Sequence, residues 1–513
     1  MSEKLFQSTA VVSVMTFLSR ILGFLRDIVI ARLFGAGLGA DVFFVAFKIP
    51  NFLRRLFAEG AFSQAFIPVL AEFRERGDEP LRDLIARTSG TLASILMLIT
   101  AVGMLAAPVI IMIFAPGFIS DPYKLELAGE LLFITFPYLL FISLTALAGA
   151  ILNSFGRFAV PAFTPVFLNL SLIGAAIWLS PQLDEPVKAL AWGVFIGGVV
   201  QLLFQLPFLW RINKLPRPRW GWRSEGVNKI TRLMIPAMFG VSVSQINLLL
   251  DTLLASFLVT GSISWLYYSD RLVEFPLGVF GIALSTVILP SLSKKHASQS
   301  AEGFSDTIDW ALRWVFIIGT PAAVGLITLA QPLLITLFQY GEFASDDAYM
   351  ASLSLMAYGL GLLPFIFIKV LAPGYFARQD TKTPVKIGII AMVTNMVLNV
   401  ILMIYLAHVG LALATGLSAA LNASLLYIGL RKRGVYSPNA GWAVFGLKLL
   451  LANAVMLALL LWLTPQASAW GDWTAWQRAG QLFGLIGAAA VVYFVLLTLL
   501  GIRLRQLVRP LSR

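Results

Sequence analysis

The sequence predicts an all-α, polytopic membrane protein of fourteen transmembrane helices, built as two pseudo-symmetric six-helix lobes plus two extra C-terminal helices. Three observations carry this expectation. The 513 residues are 58% hydrophobic and only 12% charged, with mean hydropathy +0.84, whereas a soluble domain carries about 25% charged residues. Apolar stretches of about 20 residues, the length that crosses a bilayer as a helix, follow one another along the chain. The second half also repeats the first at an offset of about 222 residues.

The stretches lie near 10–34, 41–72, 88–115, 128–153, 161–181, 187–210, 230–258, 266–292, 309–338, 349–376, 384–406, 409–430, 441–464 and 476–500. The first has no small-residue cleavage site after it, so it is expected to be retained rather than removed as a signal peptide. The second is long and contains Pro50, which predicts a kink or break. The Gly-rich run at 35–41 reads as a tight turn between spans.

Charge in the connecting loops alternates. One set holds Arg74, Arg76, Arg82, Arg87, Arg157, Arg211, Lys214, Lys294, Lys295, Arg378, Arg431, Lys432 and Arg433, and the tail Arg503, Arg505, Arg509 and Arg513. The other is poor in cations beyond Lys124, Lys188 and Arg478 and carries Asp121, Asp184, Glu185, Asp346, Asp347 and Asp472. The positive-inside rule puts the first set, and both termini, in the cytoplasm. The net charge of +12 is thereby read as topology and not as a nucleic-acid surface.

The repeat rests on four matches in order: Pro68 with Pro290, Pro108 with Pro332, Pro161 with Pro384, and Ala189 with Gly410. A unit of six spans returns the chain to the side it left, so the copies have parallel topology, with a substrate site expected between them. The lobes are placed at 1–222 and 223–435, with a final pair and tail at 436–513.

Several charges interrupt the apolar stretches. Arg20, Arg26, Arg54, Arg55 and Arg271 sit where an arginine costs roughly 2.5–3.5 kcal/mol on insertion scales. They read as a cationic chamber for a large anion, since a guanidinium stays charged and grips phosphate in a bidentate fork. Arg20, Arg26, Arg54 and Arg271 form the expected clamp, with Asp41, Arg55, Glu59, Asp270 and Lys369 as supporting charges. Arg55 and Glu59 are four apart, a pairing distance on an α-helix. The competing reading is structural: arginines neutralised by Asp27, Asp41, Glu59 and Asp270, or snorkelling to an interface. Arg313 and Lys448, near expected helix ends, read as snorkelling.

Asp251, Asn395, Asn399 and Thr415 offer oxygen ligands for a hard cation such as sodium. Interhelical hydrogen bonding is the favoured competing reading. The two histidines, His296 and His408, read as loop surface residues, and cysteine is absent, so no metal centre is expected. No nucleotide-binding loop, nucleophile elbow or zinc-protease motif occurs. An enzyme is therefore not expected, and transport must draw on an ion gradient, the membrane potential or the substrate gradient.

The run from Ser19 to Glu72, SRILGFLRDIVIARLFGAGLGADVFFVAFKIPNFLRRLFAEGAFSQAFIPVLAE, closely resembles the MurJ (MviN) lipid II flippases. So do SWLYYSDRLVEFPLGVFGIALSTVILPSLSK (264–294) and KVLAPGYFARQDTKTPVKI (369–387). The resemblance covers essentially the whole chain. It implies the multidrug/oligosaccharidyl-lipid/polysaccharide exporter fold, fourteen helices, and movement of the undecaprenyl-pyrophosphate-linked disaccharide pentapeptide across the bacterial inner membrane by alternating access. It also implies roles for Arg20, Arg26, Arg54, Arg271, Asp41, Glu59 and Lys369. Sodium is bound by some members; Asn399 stands where some relatives have an acid, which weakens that expectation here and leaves the membrane potential as the energy source. The expected partners are lipid II, membrane lipids and the cell-wall synthesis machinery, with the protein itself a monomer. The alternatives are a related exporter of another lipid-linked oligosaccharide or of drugs, a non-transporting scaffold, and a membrane transferase.

Overall fold

The computed structural model describes residues 3–502, with the backbone alone for 3–10, 57–60, 239–244, 282, 283 and 286. The side chain of Glu59 and the basic tail from Arg503 onward thus lie outside the described residues. The described chain is helical with no strand, and it divides into two compact units, Met1–Ser264 and Trp265–Arg513.

The first unit opens with α1 (Glu3–Phe34), which stops at Gly35 in the left-handed region (φ 63°), the usual device for ending a helix. The Gly-rich stretch is the turn its composition suggests, and α2 (Leu38–Arg54) follows. Helix α2 runs through Pro50 and changes to a π-helix over Arg55–Phe62 before α3 (Ser63–Glu75). The irregularity foreseen at the proline therefore falls one turn beyond it. Next come α4 (Asp78–Leu105), α5 (Ala107–Phe114), α6 (Pro122–Thr135) and α7 (Tyr138–Ser154). Asp121 starts α6 by accepting the Lys124 N–H at 3.2 Å. Then follow α8 (Ala159–Phe163), α9 (Pro165–Gly174), α10 (Lys188–Arg211) and α11 (Glu225–Ala255). Helix α11, the seventh apolar stretch, packs on the π-helix and on α3. The unit thus extends beyond the repeat boundary near residue 222.

The second unit contains α12 (Ser262–Pro276) from Trp265 onward, a π-turn at Leu277–Gly281, and α13 (Ile282–Ala297). Its remaining helices are α14 (Ala301–Thr328), α15 (Ala330–Phe338), α16 (Ser345–Phe376), α17 (Lys382–Lys432), α18 (Trp442–Leu463), α19 (Ala467–Asp472) and α20 (Ala475–Leu499). The long α17 is two helices: Ala407 (φ 50°, ψ −130°) reverses the chain between the stretches expected at 384–406 and 409–430. At this reversal a Cβ on Gly410 would stand 2.3 Å from the Leu402 carbonyl oxygen, so only glycine fits. His408 is here too. It is not on a surface loop but buried, its Nε2 2.9 Å from the Met350 carbonyl. His296 lies in the last turn of α13, exposed.

The repeat is visible in the helices. Helices α4 and α5 correspond to α14 and α15, and two of the three π-segments among the described residues, at Arg55 and Leu277, begin the repeat spacing apart; the third, Ala175–Leu179, has no π counterpart in α17. Small residues let helices approach closely in both units, as polar-poor membrane packing requires. A Cβ on Gly193 would meet Ala175 at 2.9 Å, and one on Gly361 would meet the Gly416 backbone at 2.7 Å.

The final pair belongs to the second unit, where α18 packs on α14 and α20 packs on α14 and α15. Tyr493 donates to the Ile317 carbonyl (2.8 Å) and Asn453 to Thr320 (3.0 Å). Arg478, expected in a loop, is buried in α20 and donates to the Gln339 and Gly471 carbonyls, both at 3.0 Å. Arg313, expected to snorkel, pairs with Asp309 at 2.9 Å and lies over Trp442. Asp309 also accepts from Tyr436 (2.9 Å) and the Trp442 indole (2.7 Å), which ties α14 to the loop before α18.

Nine helices among the described residues are long and apolar enough to cross a membrane. Large apolar side chains such as Leu450, Trp462, Trp476 and Leu499 are exposed on α18 and α20, an arrangement that only a lipid solvent tolerates over so wide a surface. This is a multi-pass membrane protein. Outside those nine lie the short α5, α15 and α19 and four longer runs: α1, α2 with α3, α11, and α12 with α13. The four longer runs bear Arg20, Arg26, Arg54, Arg55, Asp251 and Arg271.

Two outcomes are expected. Replacing Gly410 with valine should lower stability by about 1–3 kcal/mol through overpacking against backbone, read as a reduced melting temperature in detergent. The second concerns Asp380, in the loop before α17. It accepts the Thr383 hydroxyl (2.7 Å) and N–H (3.0 Å) and faces Arg433 at 2.6 Å, and these partners hold its carboxyl down to about 2. Its contribution is present above the ordinary carboxylate value of about 4 and is lost as pH falls through the lower folded value. The gap in melting temperature between wild type and Asp380→Ala should therefore hold from pH 5 to 7 and close between about pH 4 and pH 2.

Candidate functional site

The arginines of α2 sit at a change of helical pitch. Arg54 ends the α-helix, with its Nε donating to Asn51 Oδ1 at 2.9 Å, and Arg55 opens the π-helix. Both are half-buried. A π-segment widens the turn to i→i+5 bonding, and such bulges recur at functional sites. The pairing expected between Arg55 and Glu59 involves a side chain outside the described residues.

Arg26 is held differently. It is 8% exposed and its neighbour Asp27 1%. Its Nε and one terminal nitrogen donate to Asp27 Oδ1 (2.9 and 2.6 Å), and the other donates to Asn169 Oδ1 (3.0 Å). Asn169 in turn donates to the Ser19 carbonyl at 3.1 Å. The guanidinium thus joins α1 to α9, and Asn169, which the sequence did not single out, is the residue that orients it. Removing one member of a buried ion pair costs about 3–5 kcal/mol, so Arg26 carries structural weight whatever else it does. Arg20, less than two turns away, is exposed.

Asp41 is also committed to structure. It is 2% exposed, with Oδ1 accepting the Ser264 N–H (2.8 Å) and hydroxyl (2.6 Å) and Oδ2 accepting the Gly261 N–H (2.6 Å). A carboxylate receiving backbone N–H groups where a helix begins is a stable arrangement. Sequence reasoning grouped Asp41 with the cavity charges because one sequence cannot show a partner some 220 residues away.

In the second unit Arg271 lies over the Tyr267 ring (4.9 Å), pairs with Glu274 (2.8 Å) and donates to the Tyr267 hydroxyl (3.2 Å). Glu274 is thus a partner that the expected neutralisation by Asp270 did not name, although its three-residue spacing could have shown it. One turn later comes the second of the matched π-segments. Lys369 is exposed, and its stem passes alongside: a Cβ on Gly281 would stand 3.7 Å from Lys369 Cγ. Arg271, Glu274 and Lys369 therefore gather about the second π-turn, as Arg54 and Arg55 do at the first.

Two of the residues considered for a cation make hydrogen bonds within the second unit. Asn395 is buried and accepts from Ser418 (3.4 Å), and Thr415 donates to the Leu411 carbonyl (3.0 Å). Asn399 is fully buried, and Asp251, on α11, belongs to the first unit. Asn395, Asn399, Thr415 and Ser418 supply neutral amide and hydroxyl oxygens. Among the described residues no three His, Cys, Asp or Glu side chains are grouped to hold a metal.

Comparison with known proteins gives a consistent result. Residues 30–475 match the family described as lipid II flippase MurJ. A probable lipid II flippase MurJ of Vibrio cholerae is 56% identical, covering 99% of this chain and 98% of the relative. One of Haemophilus influenzae is 54% identical over 96% of this chain and 99% of its own. The lipid II flippase MurJ of Burkholderia cenocepacia is 42% identical over 97% and 98%. Among solved structures, a lipid II flippase MurJ in an inward closed conformation matches with TM-score 0.80 at 28% identity, covering 97% of this chain and 99% of that one. An inward-facing multidrug transporter of the MOP superfamily matches with TM-score 0.67 at 16% identity, over 83% and 98%, which shows a shared fold. By sequence along its whole length and by fold, the chain belongs to the lipid II flippase MurJ family.

Proposed function

We propose that this protein flips lipid II from the cytoplasmic to the periplasmic leaflet of the bacterial inner membrane by alternating access, with both termini in the cytoplasm. The observation that carries the reading is the gathering of cationic side chains about two matched π-segments in otherwise apolar helical runs, Arg54 and Arg55 in one and Arg271 with Lys369 in the other. The lipid-borne head is polar and anionic, and each unsatisfied polar group in hydrocarbon costs several kcal/mol. Guanidinium groups at mid-span give the diphosphate an alternative solvent, while the polyprenyl tail stays in lipid. Arg20, Arg54, Arg271 and Lys369 bind and orient the diphosphate. Arg26 holds α1 against α9 so that the cationic surface keeps its shape.

Flipping needs no bond-making chemistry, and the family is one of transporters. The rival reading as a drug exporter rests on fold alone, at 16% identity. Energy comes from the membrane potential, worth about 2.3 kcal/mol per charge per 100 mV, acting on the cationic segments. The protein acts as a single copy beside the cell-wall synthesis machinery.

Reconstituted with lipid II and assayed for its exposure leaflet by leaflet, Arg54→Ala should lose flipping at least about tenfold, the weight of one charge-assisted phosphate contact, while melting like wild type. Arg26→Ala should instead lose stability by about 3–5 kcal/mol. Wild-type flipping by Arg54→Ala would sink the cationic-path reading. Collapsing the potential with an ionophore should slow lipid II transfer, and exchanging sodium for choline should leave it unchanged. Loss of transfer in choline would reinstate a sodium site.

A further inference from the structure

Beyond the arginine clusters, the second unit has a cavity of about 310 Å³ where α13 and α16 end, α14 begins and the chain leaves α17. Lys295, His296, Arg378 and Arg433 line it, together with Gln299 and Ser300. Lys295 Nζ lies 3.1 Å from the point where a side chain on Gly303 would start, so its ammonium rests against the first turn of α14. That end of a 28-residue helix is itself positive. Arg433 is answered by Asp380. Among the described residues neither Lys295 nor Arg378 makes an ion pair, and the cavity has no acidic lining.

The first unit shows the same corner with an acid in it. Helix α4 corresponds to α14, and Asp78-Glu79 with Asp83 aligns with Ala301-Glu302 and Asp306. Asp78 opens α4, pairs with Lys214 from the segment after α10, and also takes Arg82 at 2.8 Å. Arg74, from the end of α3, donates to the Ser154 carbonyl at 2.6 Å and lies over Phe155. In the first unit Lys214 and Arg82 thus meet a built-in carboxylate while Arg74 turns to the Ser154 carbonyl; in the second, Lys295, His296, Arg378 and Arg433 line a cavity beside Ala301, which brings no acid.

We propose that the cavity binds a phosphate-bearing anion, held by Lys295, Arg378 and His296 against the first turn of α14, in the place that the Asp78 carboxylate takes in the first unit. A helix N-terminus flanked by cations favours such a ligand. The phosphate is supplied by an anionic phospholipid headgroup or by a free phosphate or diphosphate. The site is separate from the cationic segments of the transport path and does not depend on that reading.

The test uses the full chain in nanodiscs. Melting temperature is followed in phosphatidylcholine alone, with added inorganic pyrophosphate at matched ionic strength, and with phosphatidylglycerol replacing part of the lipid. Wild type should show a saturable rise. A rise with phosphatidylglycerol alone assigns the site to a headgroup, and a rise with pyrophosphate assigns it to a free anion. Lys295→Gln/Arg378→Gln should weaken the apparent affinity by about tenfold or more. Ala301→Asp, which restores the built-in acid at an exposed position, should melt higher than wild type without anion and respond little to it. No response in wild type, or an undiminished response in either variant, overturns the proposal.

Discussion

A charge inside an apolar helix must be met by a partner or by water, and this constraint organises the protein. Where the partner is fixed, the charge becomes a fastener. Arg26 with Asp27 and Asn169 joins α1 to α9. Asp41 fastens the start of α2 to the turn at Gly261 and Ser264, and Asp309 with Arg313 fastens α14 to the segment before α18. Such pairs contribute little net stability, because desolvation offsets their attraction, but they are costly to break singly. They therefore specify arrangement more than they add energy.

Where charges accompany a change in helical pitch, they take on another character. Two π-segments begin at matched positions of the repeat, and each has cationic side chains beside it. A regular α-helix would project Arg54 and Arg55 along the i, i+4 rows that pack against neighbours. The wider π-turn re-aims the residues that follow it. A duplicated irregularity in two copies with diverged sequences is hard to attribute to chance packing, since each copy carries its own local cost.

The fold was legible because its signals are local. Hydropathy placed the apolar stretches, Gly35 marked the end of α1, and the prolines at 68 and 290 revealed the repeat. Even the reversal at Ala407 fell in the two-residue gap between expected spans. What escaped was long-range or depended on pitch. Nothing near Arg26 in sequence points to Asn169, and nothing near Asp41 points to Ser264. His408 reads as a loop residue because it sits at a turn, yet that turn is packed against Met350 and Trp265. The π-segment after Pro50 begins five residues on, which no proline rule supplies.

The two copies also show how a repeat acquires separate duties. Matching corners begin with the same need, to neutralise cations at helix ends beside a positive helix terminus. In the first unit Asp78 meets it internally, and Lys214 is buried against it. In the second, Asp380 answers only Arg433, and the position corresponding to Asp78 is Ala301. Lys295 and Arg378 line a cavity there with no acid in its walls, which a bound anion completes. A carboxylate at one helix start and none at its counterpart is thus a simple route from a structural fastener to a binding site. It leaves the helices in place and changes only what completes them.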